Sequence, residues 1–236
     1  MSRKLASLRS RAAILIATCV CAHSATAATA RAVVELFTSQ GCSSCPPADA
    51  VAGRLLANPQ VLVLSFHVNY WDDLGWKDPF SSANSTDRQY AYMRALGERS
   101  VFTPQLVVNG TQSLVGSQES AVQRAVASAG KVDFPIQAEL SPQPDGSLTL
   151  TLDGPAMPGE IWEARYVHRT VTRIHGGENS GRELETFNNV THFRPIGPFS
   201  TGAFKLAPLQ GPEDGIAVFV QVPTAGRILG AATYSR

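Results

Sequence analysis

Ala32-Val33-Val34-Glu35-Leu36-Phe37-Thr38-Ser39-Gln40-Gly41-Cys42-Ser43-Ser44-Cys45-Pro46-Pro47 changes character twice, and the order of those changes decides the fold class. Branched and aromatic residues from Ala32 to Thr38 read as a strand, and Ser39-Gln40-Gly41 as the turn that ends it. Cys42 and Cys45 follow, two residues apart. Beyond them Ala48, Val51, Ala52, Leu55 and Leu56 repeat at three and four residues. Pro46-Pro47 suit a first helical turn, and Asn58-Pro59 stops the helix. The thiols therefore stand where a strand hands over to a helix start.

Val61 to Val68 is a nearly unbroken apolar run, as expected of a strand covered on both faces. Strand, helix and strand in that order imply a right-handed parallel crossover. A long polar and aromatic connection, residues 69 to 84, leads to a helix expected over 86 to 96, with Thr86 and Gln89 at capping-box spacing and Gly97 as the stop. Gln105 to Val108 and Gln112 to Val115 flank Asn109-Gly110, a strong hairpin signal. Ser117 is placed to cap a helix carrying Val122, Ala125, Val126 and Ala129, which Gly130 ends. Residues 31–130 thus form an α/β unit.

Past Lys131 the pattern becomes short strands and turns: 135–140, 147–152, 161–174, 202–206 and 216–222. In the strand around Trp162, one face carries Trp162, Ala164, Tyr166 and His168 and the other Glu163, Arg165, Val167 and Arg169, which predicts a half-buried antiparallel strand. Residues 133–236 read as a second, β-rich, sandwich-like domain.

Residues 1–30 read as a cleavable secretory signal peptide. Arg3, Lys4, Arg9 and Arg11 precede an apolar run from Ala12 to Ala22, and Ala25-Thr26-Ala27 and Ala28-Thr29-Ala30 offer small-residue cleavage sites. The run is about half of the roughly 20 apolar residues that a membrane span needs. The expected product is secreted or periplasmic, without membrane attachment. Cys19 and Cys21 leave with the leader, so Cys42 and Cys45 become the remaining cysteines. The remainder holds 16 basic and 19 acidic residues, a net charge of −3, which implies no basic surface for nucleic acid.

A disulfide between cysteines three positions apart closes a tiny loop and constrains the unfolded chain little, so a purely structural staple is the weaker explanation. The partial positive charge of the helix start favours thiolate at Cys42, which makes it the nucleophile. Cys45 then resolves the mixed disulfide by attacking Cys42. Val101-Phe102-Thr103-Pro104 precedes a strand, and a proline in that position suits a cis bond in a functional turn.

The order strand, Cys-x-x-Cys, helix, strand, helix, Thr-Pro, hairpin, helix resembles the thioredoxin-like fold over residues 32–130. Residues 35–47 and Tyr70-Trp71-Asp72-Asp73-Leu74-Gly75-Trp76-Lys77-Asp78-Pro79-Phe80, with Gly177-Glu178-Asn179-Ser180-Gly181-Arg182 in the second half, resemble a bacterial family of exported thioredoxin-like proteins that carries a domain-of-unknown-function label. The resemblance implies that Pro104 faces the disulfide and that Thr103 contacts substrate through its backbone. It also implies that Glu35 is the buried acid relaying a proton to Cys45, which burial would equip by raising its pKa. Two features depart from ordinary thioredoxin. The dipeptide between the cysteines is Ser-Ser rather than Gly-Pro, and the connection after His67 is longer, as for a lid or docking loop.

The expected catalytic set is Cys42, Cys45, Pro104 and Glu35, with Thr103, Trp71 and Trp76 binding substrate and no cofactor or metal required. Trp71 and Trp76 have two readings, a recognition surface for a partner chain or packing of their loop onto the body. His67 is a satisfied strand end, a proton carrier or a metal ligand; His168, His175 and His192 lack the close spacing of a metal site. Glu178 and Arg182, four apart in a glycine-bounded segment, are read as pairing with each other or shaping a loop. The function expected is exchange of a Cys42–Cys45 disulfide with a protein or small thiol. Two alternatives use the same residues differently: a Cu(I)-binding protein or metallochaperone with both thiolates as ligands, and a non-catalytic binding module.

Overall fold

The computed structural model describes residues 26–236. Residues 1–25, most of the expected leader, lie outside the described residues. Thr26–Thr29 form a first strand, β1, antiparallel to the last strand of the chain. The remaining elements follow as β2 (Ala32–Thr38), α1 (Pro46–Leu55), β3 (Val61–His67), α2 (Ala83–Ala95), β4 (Gln105–Val108), β5 (Gln112–Val115) and α3 (Glu119–Ala129). Then come β6 (Gln137–Pro142), β7 (Leu148–Asp153), β8 (Glu160–Arg173), β9 (Glu183–Pro198), β10 (Gly202–Leu206), β11 (Gly215–Gln221) and β12 (Ile228–Ser235). No helix among the described residues is long and apolar enough to cross a membrane.

The architecture is mixed α/β, with one nine-stranded sheet in the order β1-β12-β11-β8-β9-β3-β2-β4-β5 and a three-stranded sheet β10-β7-β6. β2 and β3 are parallel in the register Ala32↔Val61 to Thr38↔His67, as the strand–helix–strand reading requires. β4 runs antiparallel to β2 and turns back into β5 through Asn109 (φ 49°) and Gly110 (φ 71°), the left-handed pair that the sequence signalled.

Alternation in β2 sends Val34 and Leu36 to one side, against Ala48, Val51 and Ala52 of α1 and Val122 and Val126 of α3. Val33 and Phe37 go to the other, where they join Leu64, Phe66 and Tyr92. Each of these fully buried large side chains contributes about 1.5–3 kcal/mol.

The 31–130 and 133–236 segments differ in element type, yet no break in packing separates them. β3 meets β9 at Ser65↔Asn189, and the cluster around Phe37 and Phe66 continues into Tyr166, Val190, Phe219 and Ile228 of the second half. A further cluster sandwiches Ile136, Leu140, Leu148 and Leu150 against Ile216, Val218, Val220 and Leu229. At its tightest point the backbone of β12 approaches residue 136: a Cβ on Gly230 would stand 2.4 Å from the Ile136 carbonyl oxygen.

Several local expectations are corrected. α2 starts earlier, capped by Ser82, whose hydroxyl accepts the Ser85 N–H at 3.1 Å. Thr86 cannot serve because its hydroxyl is engaged by Asn69, and the Gln89 amide donates to the Phe102 carbonyl and to Gln105. α3 begins after Gln118 with no side-chain cap, so Ser117 is not its N-cap. β8 is not half exposed at its start: Glu163 and Arg165 are buried and joined to each other, to Arg194 and to Glu213.

Candidate functional site

β2 ends at Thr38, and the chain turns through Ser39, Gln40 and Gly41 into Cys42, whose carbonyl accepts the Cys45 N–H at 3.2 Å. That tight turn brings the two cysteines to a Cα separation of 5.4 Å, and they are joined as a disulfide. Cys45 is the N-cap residue of α1; its carbonyl accepts from Ala48 and Asp49 in the first helical bonds, and Pro46 and Pro47 stand where a helix start has no intrahelical use for an N–H. Both cysteines are fully buried, although Ser43 and Ser44 between them are exposed.

Two hydroxyls converge on the first sulfur. Ser44 Oγ lies 3.2 Å from Cys42 Sγ, and Thr103 Oγ1 donates to the same sulfur at 3.4 Å. Trp71 Nε1 donates to Thr103 Oγ1 at 2.9 Å, which aims the hydroxyl proton at Cys42. The Thr103–Pro104 peptide is cis, and the Thr103 carbonyl accepts from Ser44 Oγ at 3.4 Å. Donors around a sulfur favour its anionic form.

Gln40 is the hub of the surrounding frame and is buried. Its N–H donates to Asp78 Oδ2 at 2.8 Å and its Nε2 to Thr172 Oγ1 at 3.1 Å; its Oε1 accepts from Trp76 Nε1 at 3.2 Å and its carbonyl from Asn179 Nδ2 at 2.9 Å. One residue thus ties the cysteine turn to the 69–82 connection, to β8 and to the loop between β8 and β9.

That last loop, residues 174–182, lies across the cysteine turn. Asn179 is buried and its Nδ2 also donates to the Cys42 carbonyl at 2.9 Å, while its Oδ1 accepts from Arg182 Nη1 at 2.7 Å. The Ser43 N–H donates to Glu178 Oε2 at 3.0 Å. The hydroxyl and backbone N–H of Ser43 hold the Glu178 carboxyl below its usual range. Glu178 and Arg182 therefore pair with these groups and not with each other. The loop seats close against the 69–82 connection, where a Cβ on Gly176 would stand 2.1 Å from the Gly75 carbonyl oxygen.

Beneath the turn lies a buried polar cluster. His67 Nδ1 lies 2.7 Å from Asp78 Oδ2 and its Nε2 lies 2.9 Å from Asn189 Oδ1. Burial alone would push the His67 pKa down, but the Asp78 carboxylate outweighs it and the pKa is raised. Asp78 is lowered: its own burial acts upward but is exceeded by His67 and by the N–H groups of Gln40 and Phe80. Asp49, one helical turn after Cys45, accepts from Thr38 Oγ1 at 3.0 Å. Its burial pushes it up to about 7, against the lowering pull of His67 and Thr38. His67 spends both ring nitrogens in this cluster, so it is not free to ligate a metal beside the thiols. Among the described residues no group of three or more His, Cys, Asp or Glu side chains is arranged to hold a metal ion.

Of the site residues expected from sequence, the structure brings Cys42, Cys45, Thr103, Pro104, Trp71 and Trp76 into one neighbourhood. Trp71 and Trp76 are both partly buried and both donate into the frame, so each braces the site. Glu35 stands apart. It points to the α2 side of the sheet, where its carboxylate is gripped by Arg88 and Tyr92, and it makes no hydrogen bond to the cysteine turn. The acid near Cys45 is Asp49. An aspartate on the same stripe of α1 as Cys45 and Ala52 was the legible signal for it. Gln40, Glu178 and Asn179 stand in stretches that carry the family resemblance, but their roles were not legible, because they depend on segments about 140 residues apart in sequence meeting at the turn.

A family model described as a protein of unknown function, DUF1223, matches residues 33–221, and the chain belongs to that family. No curated protein matches it. Among solved structures, a protein of Agrobacterium tumefaciens is similar at 26% identity and a TM-score of 0.72, over 87% of this chain and 94% of that one. HBP35 of Porphyromonas gingivalis shares the fold at 17% identity and a TM-score of 0.63, over 88% of this chain and 76% of that one.

Proposed function

Within the DUF1223 family, we propose that this chain is an exported thiol–disulfide oxidoreductase, with a thioredoxin-like arrangement over residues 31–130 and a partner that is a protein or a small thiol. The observation that carries this reading is the contact between Thr103 and the cysteine turn. The Thr103 hydroxyl donates to Cys42 Sγ and its carbonyl receives Ser44 Oγ, so a polar edge of backbone lies beside the sulfur that would be attacked.

In the reducing direction the Cys42 thiolate attacks one sulfur of a partner disulfide. A mixed disulfide forms and the other partner sulfur leaves as a thiolate. Cys45 then loses its proton and attacks Cys42 Sγ, which breaks the mixed disulfide, closes the Cys42–Cys45 bond and releases the second partner thiol. Two electrons pass from the protein to the partner, and the two protons of the dithiol end on the partner thiols. The Thr103 hydroxyl stabilises the Cys42 thiolate, and Asp49 is the buried group with a pKa suited to accept the Cys45 proton near neutrality.

Equilibration with dithiothreitol couples, quenched by alkylation and read by mass, is expected to show a reversible two-electron step. A pair that stays closed at potentials far below about −300 mV would mark a structural disulfide and overturn the reading. Cys45→Ser, expressed with its leader, is expected to accumulate as a mixed disulfide with its partner.

A further inference from the structure

Most of the frame around the cysteines is uncharged where it touches their turn, but the loop 174–182 is bonded to the backbone of that turn, and one of its bonds is made by a carboxylate. The loop is a closed unit: the Ile174 N–H donates to the Arg182 carbonyl at 2.8 Å and the Gly181 N–H to the Ile174 carbonyl at 2.9 Å. Left-handed glycines stand near both ends, Gly177 at φ 65° and Gly181 at φ 82°. It touches the cysteine turn through two side chains, Asn179 on the Gln40 and Cys42 carbonyls and Glu178 on the Ser43 N–H. Cys42 is fully buried, so an attack by or upon its sulfur requires the groups packed around that residue to shift, and the loop bonded to its carbonyl is one of them.

In the disulfide the Cys42 sulfur carries no charge, and the Glu178 carboxylate accepts the N–H of Ser43, the residue that follows Cys42, while Asp78 accepts that of Gln40 on the other side of it. Reduction creates a thiolate on the residue adjacent to Ser43, a second negative charge beside the Glu178 carboxylate at the same helix start.

Resting on the oxidoreductase reading above, we propose that residues 174–182 form a redox-sensitive lid, held shut by Glu178 on the Ser43 N–H while Cys42 is oxidised and released when Cys42 becomes a thiolate, so that disulfide-bearing polypeptides dock on the dithiol form and are discharged as the disulfide closes. Glu178 is a positioning residue, acting on access to Cys42 and on its thiolate rather than on the partner. The lid favours reduction of partner disulfides, because closure follows the step that oxidises the protein.

The test is amide hydrogen exchange of the whole protein in its oxidised and dithiothreitol-reduced states, with alkylation and mass confirming each state. The segment Gly177–Arg182 is expected to exchange about tenfold faster or more when reduced, with β6, β7 and β10 unchanged as an internal reference. In Glu178→Gln the amide oxygen accepts the same N–H without charge, so the difference between states is expected to vanish. Reduced E178Q, whose loop stays bonded to the Ser43 N–H, is also expected to react with iodoacetamide several-fold more slowly at Cys42 than the reduced wild type, whereas loss of a merely structural contact would speed the reaction. Equal exchange of the segment in a protein shown by mass to be fully reduced overturns the lid and leaves the oxidoreductase reading intact. A pair that dithiothreitol cannot reduce overturns both.

Discussion

His67 Nδ1 lies 2.7 Å from Asp78 Oδ2 with both side chains shut off from solvent. Its other nitrogen faces Asn189 Oδ1, whose amide is fixed by Nδ2 donating to Thr170 Oγ1 at 2.9 Å. Both neighbours are acceptors, so the imidazolium alone satisfies the two contacts, and a buried cation is established beneath the cysteine turn. Asp49 shares that environment, and its burial pushes its pKa up to about 7.

The sign of the resulting pH dependence follows from Asp49. Unfolded, it loses its proton near pH 4; folded, it holds the proton to about 7. Its contribution to stability is therefore complete below about pH 4, declines as the pH rises to about 7 and is flat above. The raised His67 pKa acts in the same sense, its contribution being lost as the pH climbs through its folded value. Urea midpoints of the oxidised protein are expected to fall between pH 4 and 7 less steeply in Asp49→Asn, which should be the more stable at pH 8 by about 2–4 kcal/mol. Parallel curves for the two proteins would show that Asp49 is not held protonated.

The same variant addresses the chemistry. If Asp49 accepts the Cys45 proton, D49N is expected to slow resolution of a preformed Cys42 mixed disulfide at pH 7 by about 10²-fold. The initial attack by Cys42 should be left nearly unchanged, and stopped-flow release of a chromogenic thiol separates the two steps.

Glu35→Gln has a different expected outcome. It leaves the Arg88 guanidinium buried without its counter-charge, among Phe66, Phe193 and Phe219. A loss of about 3–5 kcal/mol in urea unfolding is expected, partly recovered in the double variant with Arg88→Met. Disulfide exchange by the folded variant should persist. Its collapse would reinstate Glu35 as the proton relay that the family resemblance implied.

Thr103→Val keeps the side-chain shape and removes the hydroxyl that donates to Cys42 and accepts from Trp71. Alkylation of reduced Cys42 at pH 6 is expected to slow by about threefold to tenfold, as one lost donor to a thiolate predicts. An unchanged rate would mean that the Thr103 hydroxyl does not stabilise the thiolate.

Asn179→Ala breaks two bonds to the cysteine turn and frees Arg182. The global cost should be about 1–3 kcal/mol. Reduction of the disulfide by dithiothreitol is expected to accelerate by about an order of magnitude in stopped-flow traces, since the loop over Cys42 loses its anchor; a rate equal to wild type would separate access from Asn179.

The strands β9 and β12, missed in the sequence, each lack the period-two signal for a reason of their own. β9 carries Asn188 at φ 44°, Pro195 and Gly197, and its pairing with β8 slips in register twice, so it lacks the period-two signal. β12 is rich in small residues because its backbone lies close to Ile136, and small side chains blur the pattern that marks a strand. The opposite error occurred in β8, where alternation suggested a water-facing Glu163 and Arg165. Mutual pairing lets both be buried, and no local pattern shows whether a partner is present.

By itself the sequence determined the cysteine turn between β2 and α1, the parallel β2–β3 pair, the Asn109-Gly110 hairpin and the change to β structure after residue 130. Each rests on interactions a few residues apart, where periodicity, proline and glycine act directly on the backbone. Only the tertiary structure decided that one sheet runs through both halves, that Asp49 rather than Glu35 lies near Cys45, and that Gln40, Glu178 and Asn179 enclose the disulfide. Those outcomes depend on which distant polar groups meet once water is excluded, and a hydrogen bond between residues about 140 positions apart leaves no trace in the pattern around either one.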